Sequence, residues 1–197
     1  MPRPRLEDAE TRLLTTGLAL FARHGVEGID TNKIARRAGL GVGTFYAHFP
    51  DKHALLGEIR MRTVAALRDA RLGALREAGP GTEAQVRASV AAAVRFAEQH
   101  PEAYRVTFGR ERAAASRHGP VVSESTRPLA SALRRQQTRG RIPMELDVEV
   151  AARAFLAMET GTLLWWLEDP SPTRTPSETL VETLVRLHPL VGIASAG

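Results

Sequence analysis

Cysteine is absent from the 197-residue chain, which excludes a disulfide framework and thiolate metal sites and suits a reducing compartment. No window approaches the roughly 18 uninterrupted apolar residues that span a bilayer. The opening MPRPRLEDAE lacks the apolar centre of a secretory signal. A cytoplasmic location with no membrane partner is therefore expected. The histidines, His24, His48, His53, His100, His118 and His188, lack the paired spacing with carboxylates that a metal site needs. No Ser-His-acid set or nucleophile elbow appears either, so no metal, no cofactor and no enzymatic activity are expected. Gly39-Leu40-Gly41-Val42-Gly43 fails as a dinucleotide loop, because no strand precedes it and Thr44 stands where the last glycine belongs. Strand-type alternation and internal repeats are also missing.

What remains is helical. With 43% hydrophobic and 25% charged residues the chain has enough apolar surface to fold, which excludes global disorder. Leu13, Leu14, Gly17, Leu18, Phe21 and Ala22 recur at three and four, predicting an amphipathic first helix from Leu6 to Arg23 that ends at His24-Gly25. Gly25 and Gly28 bracket a turn, and Ile29 is expected beneath the next helix. After Pro50, Asp51 can cap a long helix carrying Leu55, Leu56, Ile59, Val64, Leu67 and Leu75, which stops at Ala78-Gly79-Pro80-Gly81. Thr82 is expected to cap the helix with Val86, Val90, Val94 and Phe96, and Pro101 opens one reaching about Arg117. A turn at His118-Gly119-Pro120 precedes a helix from about Ser123 to Arg139.

From about Asp147 to Glu168 the predicted helix is apolar nearly all round, so it must be covered on more than one side. The last helix, from about Ser177, carries the stripes Leu180, Leu184, Leu187 and Val181, Val185. Two adjacent helices with surplus apolar surface predict a two-fold, four-helix homodimer interface. Trp165 and Trp166 point about 100° apart. One should face the subunit interior and the other the dimer seam, in either order.

The stretch Thr31 to Leu56 is the most constrained. Thr31 can cap a short helix holding Ile34 and Ala35, Gly39 suits the positive φ of a tight exit, and Leu40 re-enters the core. A second helix from about Val42 to Phe49 buries Phe45 and Phe49 at i, i+4 and leaves Val42, Thr44, Ala47 and His48 on other faces. Two such helices joined by a glycine turn make a helix-turn-helix, whose second helix enters the DNA major groove. The net charge of +5 suits that partner without deciding it. Placement is more telling: Lys33, Arg36, Arg37 and Lys52 flank the reading helix, and Arg3 and Arg5 form a basic arm.

Ile34-Ala35, Ala38-Gly39, Gly43-Thr44-Phe45-Tyr46, His48-Phe49 and Lys52 together resemble the DNA-binding signature of the tetracycline-repressor (TetR) family of bacterial transcription regulators. Gly41 stands where a capping serine is common. The resemblance covers roughly Thr11 to Leu56, and Trp165-Trp166-Leu167-Glu168-Asp169-Pro170 is similar to the family's dimerising region. It implies an all-α fold with a three-helix DNA-binding domain at 1–50 and a helical effector-binding and dimerisation domain at 51–197. It further implies a homodimeric repressor on a pseudo-palindromic double-stranded DNA operator, released by a small-molecule effector.

Within that frame each residue type suggests a role. Thr31 and neighbouring amides can hold a phosphate, Lys33 adds charge, and Tyr46 can reach a phosphate through its hydroxyl, with His48 and Lys52 completing the clamp. Base reading falls to Val42, Gly43, Thr44 and Ala47, whose short side chains favour methyl contacts with thymine. No Arg, Asn or Gln lies on this helix, so DNA shape and the Arg3, Arg5 arm are expected to contribute. Candidate effector-pocket residues are Phe96, Tyr104, Phe108, Met158 and Trp165, with Arg105, Arg112 or Glu159 supplying polarity; core packing is the competing role for each. The alternative function is a helical small-molecule-binding protein whose DNA motif is vestigial.

Overall fold

The structure is a computed structural model, and it describes residues 6–79, 81–109, 121–169, 171 and 174–192. The basic arm at Arg3 and Arg5, Arg112, the turn at His118-Gly119-Pro120 and Pro80 lie outside the described residues. All regular structure among the described residues is helical. The helices are α1 (Leu6–His24), α2 (Thr31–Arg37), α3 (Val42–His48), α4 (Lys52–Glu77), α5 (Thr82–Gln99), α6 (Pro101–Phe108), α7 (Val121–Thr138), α8 (Val148–Glu168), α9 (Ser177–Arg186) and the single turn α10 (Pro189–Gly192). They group into two compact units, one of residues 1–64 and 102–117, the other of 65–101 and 118–197.

The first unit is built around one core. Leu13, Leu14, Leu20 and Phe21 of α1 meet Ile34 and Ala35 of α2, Phe45 of α3, Leu55, Leu56 and Ile59 of α4, and Val106 of α6, all buried. Ile29 lies under α2 at 2% exposure, as the turn predicted. At Gly17 the Leu55 side chain of α4 comes close to α1: a Cβ there would sit 2.6 Å from Leu55 Cδ2. Burial of apolar side chains at about 25 cal/mol per Å² drives this assembly, each full-size residue contributing about 1.5–3 kcal/mol. The isolated seven-residue helices α2 and α3 are far too short to hold themselves.

In the second unit α5 packs on α9, and α7 on α8. The α7–α8 core consists of Ala130, Leu133, Ile142, Val148 and Ala152. Gly140, at φ +67, ends α7, and the connection to α8 is held from within. The buried Gln137 donates through Nε2 to the carbonyls of Pro143 (2.9 Å) and Leu146 (2.8 Å). Asp147 then caps α8 by accepting from the amides of Glu149 and Val150.

Helix α8 carries two distinct stripes. Val148, Ala152, Phe155, Glu159, Leu163, Trp166 and Leu167 are buried within the unit, whereas Val150, Ala154, Ala157, Gly161 and Trp165 are exposed along the other side. The tryptophan that faces the subunit interior is thereby identified. Trp166 is fully buried, donating Nε1 to Thr175 O at 2.7 Å beneath the Arg174 guanidinium, 4.0 Å from the ring centroid. Trp165 is 58% exposed.

Two capping expectations need correction. Asp30, not Thr31, is the N-cap of α2, its carboxylate accepting from Lys33 N at 2.7 Å. A carboxylate one residue earlier reaches the N3 amide, and Thr31 becomes the first helical residue. Likewise Gly81 precedes α5 and Thr82 is already inside the helix, with no side-chain cap. Leu187 also departs from its stripe and is 57% exposed, because α9 ends at Arg186.

Candidate nucleic-acid interface

Sequence chemistry sets the geometry of the helix-turn-helix directly. After α2 the chain turns through Gly39 at φ +66, and Leu40 N donates to Ala35 O at 2.9 Å, closing the helix end while Leu40 packs on the core. Gly41 caps α3 with backbone alone, its carbonyl accepting from the amides of Thr44 and Phe45. Phe45 and Phe49 are buried with ring centroids 6.0 Å apart, so α3 is anchored by one side. Asp51 accepts from His53 N and Ala54 N, both at 2.8 Å, and starts α4.

This anchoring determines what α3 presents. Gly43, Tyr46 and Ala47 are exposed, Tyr46 at 56% with its ring edge-on to Phe45. Thr44 and His48 are half-buried, and Val42 is half-buried and packed against the core. His48 Nε2 is buried without a hydrogen-bond partner. Lys33, Arg36 and Arg37 of α2 are exposed; the two arginines, outside the assigned contact set, were visible only as flanking charge.

A shallow depression lined by Glu27, Asp30, Thr31, Asp51, Lys52 and His53 brings together the starts of α2 and α4, and with them Thr31 and Lys52. Lys52 is engaged there. Its Nζ donates to Val26 O at 3.0 Å and to Glu27 Oε2 at 3.2 Å, so its ammonium ties α4 to the turn after α1. The partner lies 25 residues away, and nothing local in the sequence signals it.

The residues suggested for an effector pocket are divided between the two units. Tyr104 and Phe108 belong to the first unit, their rings 4.7 Å apart. Phe96, Met158 and Trp165 belong to the second, where Phe96 is buried beside the His100 ring, Met158 is half-buried and Trp165 faces outward. Of the polar candidates, Arg105 is exposed and Glu159 is buried at 1% exposure.

Comparison with known proteins decides the kinship of this arrangement. Residues 13–59 match the family model described as bacterial regulatory proteins, tetR family. Residues 13–59 thus carry a DNA-binding region similar to that of the tetR family. The matched span ends inside α4 and includes every helix-turn-helix residue described above. Over 36 residues the chain is 53% identical to an HTH-type transcriptional regulator of Staphylococcus aureus (strain USA300), a stretch covering 18% of this chain and 20% of that relative. The chain is thus aligned to only about a fifth of the curated relative's length.

Solved structures extend the likeness of fold to nearly the whole chain. One is the fatty acid degradation regulator FadR from Bacillus halodurans, with a TM-score of 0.77, 18% identity and 95% of each chain covered. Another is a bacterial regulatory protein in the tetR family from Rhodococcus RHA1, with a TM-score of 0.71, 20% identity, and 91% of this chain and 96% of that one covered. At these identities the likeness is one of fold. The family-model match over residues 13–59 and the all-α fold therefore agree with the resemblance drawn from residues 31–56.

Proposed function

We propose that this protein is a ligand-responsive transcriptional regulator of the tetR family, a homodimeric repressor that binds a pseudo-palindromic DNA operator and leaves it when a small molecule binds. The observation that carries the reading is the face of α3: Gly43, Tyr46 and Ala47 project from a helix pinned by Phe45 and Phe49, beside exposed Lys33, Arg36 and Arg37. A rigid ridge of two small residues and one tyrosine, flanked by cations, suits a major groove between two phosphate rows. Residues 1–50 serve as the DNA-binding domain and 51–197 as the effector-binding and dimerisation domain.

Val42, Gly43, Thr44 and Ala47 approach the base edges, while Thr31, Lys33, Tyr46, His48 and Lys52 hold phosphates. Lys52 reaches a phosphate by exchanging Glu27 for it. The exposed stripe Val150, Ala154, Ala157, Gly161 and Trp165 is apolar at helical spacing, which supports α8 as the seam of the dimer. Half-sites then lie about one DNA turn, roughly 34 Å, apart, and effector binding changes the separation of the two reading helices. Phe96, Tyr104, Phe108, Met158 and Trp165 remain the aromatic and thioether candidates for effector contact.

The test is selection of the operator from random DNA, followed by gel shift of Tyr46→Ala and Lys52→Ala. Wild-type binding by both variants overturns the site. Binding is expected to fall steeply with salt, because each neutralised phosphate releases counterions. Absence of DNA binding even at low salt would favour the vestigial-motif alternative. A monomer by sizing at micromolar concentration would remove the dimer.

A further inference from the structure

The second unit contains one carboxylate whose surroundings do not fit a purely structural role. Glu159 on α8 is 1% exposed, and its Oε2 accepts from Arg71 Nη2 of α4 at 2.5 Å. Arg71 Nη1 in turn donates to Ser89 Oγ of α5 at 3.3 Å. The other carboxylate oxygen, Oε1, is buried and accepts no hydrogen bond. On its own helix the buried neighbours at i−4, i+4 and i+7 are Phe155, Leu163 and Trp166, all apolar. A buried carboxylate oxygen with no donor is costly, so the position favours whatever supplies one.

Charge decides what that donor is. Arg71 and Glu159 cancel each other. Among the described residues, His188 is a further titratable group beside this cluster, its ring 4.3 Å from Phe155 and its Nδ1 accepting from Leu190 N. Burial, and then the Arg71 charge, lower its pKa to about 4, so the ring is neutral at pH 7. A cationic or anionic guest would leave an uncompensated charge among apolar side chains. An uncharged O–H or N–H completes the carboxylate without that cost.

We propose that Glu159 Oε1 is the anchoring acceptor of a small-molecule site within the second unit, and that its ligand is an uncharged, mostly apolar molecule presenting one O–H or N–H donor. This deepens the regulatory reading by naming the effector's chemical class, and it rests on that reading for its biological use. The anchor also has a route to α4. The Arg71 that holds Glu159 lies on the helix whose earlier residues Leu55, Leu56 and Ile59 enter the core of the first unit. A donor that takes up part of the carboxylate's negative charge weakens its hold on Arg71.

The test uses the full-length protein and four probes of one size: phenol, toluene, benzoate and benzylamine. Saturation-transfer NMR titrations, run in competition, rank their affinities. Phenol is expected to bind saturably and about 10- to 100-fold more tightly than toluene, the range for a hydrogen bond to a buried charged acceptor. Benzoate and benzylamine are expected to bind no better than toluene. The preference should vanish in Glu159→Leu and in Arg71→Leu/Glu159→Leu, the second variant removing both charges so that no arginine is stranded.

Equal affinity for phenol and toluene, no binding by any probe, preference for a charged probe, or a phenol preference that survives both variants would each overturn the site. Operator binding is measured separately by gel shift. A protein that shifts DNA but shows no phenol preference fails this inference alone. One that prefers phenol but never binds DNA fails the regulatory reading alone.

Discussion

Lowering the pH should destabilise the second unit through His188, and the size of the effect follows from its burial. In the unfolded chain the ring takes a proton near 6.5, whereas in the folded protein burial, with the Arg71 charge second, holds its pKa to about 4. Between these values the unfolded state binds more protons, so stability rises with pH. The contribution is fully present above pH 6.5 and is lost as pH falls toward 4. At about 1.36 kcal/mol for each tenfold difference in proton affinity, it comes to about 3 kcal/mol. The assay is urea unfolding of wild type and His188→Asn at pH 7 and pH 4, followed through the buried Trp166. Asn preserves an acceptor for Leu190 N and does not titrate, so carboxylate effects common to both proteins cancel. Wild type should lose about 3 kcal/mol more than the variant across the interval. Equal losses would show that His188 protonates freely in the fold and would refute the reasoning.

Other expectations follow from single contacts. Asp30→Ala removes the only side-chain cap of a seven-residue helix and should cost about 0.5–2 kcal/mol in thermal unfolding; no change would mean the Lys33 amide finds another acceptor. Gln137→Leu strips the carbonyls of Pro143 and Leu146 of their shared donor and should cost about 1–3 kcal/mol, with faster hydrogen exchange confined to residues 139–147. Glu27→Gln releases the Lys52 ammonium and removes a negative charge beside the starts of α2 and α4. It should tighten operator binding several-fold at low salt and less at high salt; weaker binding would mean that the tether positions α4 for DNA.

The helix-turn-helix was legible because its determinants are local. Glycine at Gly39, aromatic residues four apart at Phe45 and Phe49, and Asp51 after Pro50 each act within one turn of helix. Even there, Asp30 and Thr31 are both acceptable caps by composition. Their order emerged only from the backbone, which turns extended at Asp30. Helix α8 shows a different limit. Its apolar character announces two covered sides, but a pattern apolar all round carries no phase, so Trp165 and Trp166 could not be ordered from spacing. Contacts between distant residues were the least visible. Lys52 finds Glu27, and Arg71 finds Glu159 from 88 residues away, through packing that periodicity does not specify. Aromatic content suggested a pocket whose members the chain distributes over two units.

The way α3 is held has a consequence for how such a protein changes its target. Phe45 alone of the helix is fully buried, while Gly43, Tyr46 and Ala47 are exposed. Folding instructions and the text to be read are therefore written on different positions of one seven-residue segment. Outward residues can be exchanged at almost no cost in stability, since exposed substitutions away from special features change it by about 0.5 kcal/mol or less. Under the proposed operator reading, a lineage acquires a new operator by a few surface substitutions, without passing through an unfolded intermediate sequence.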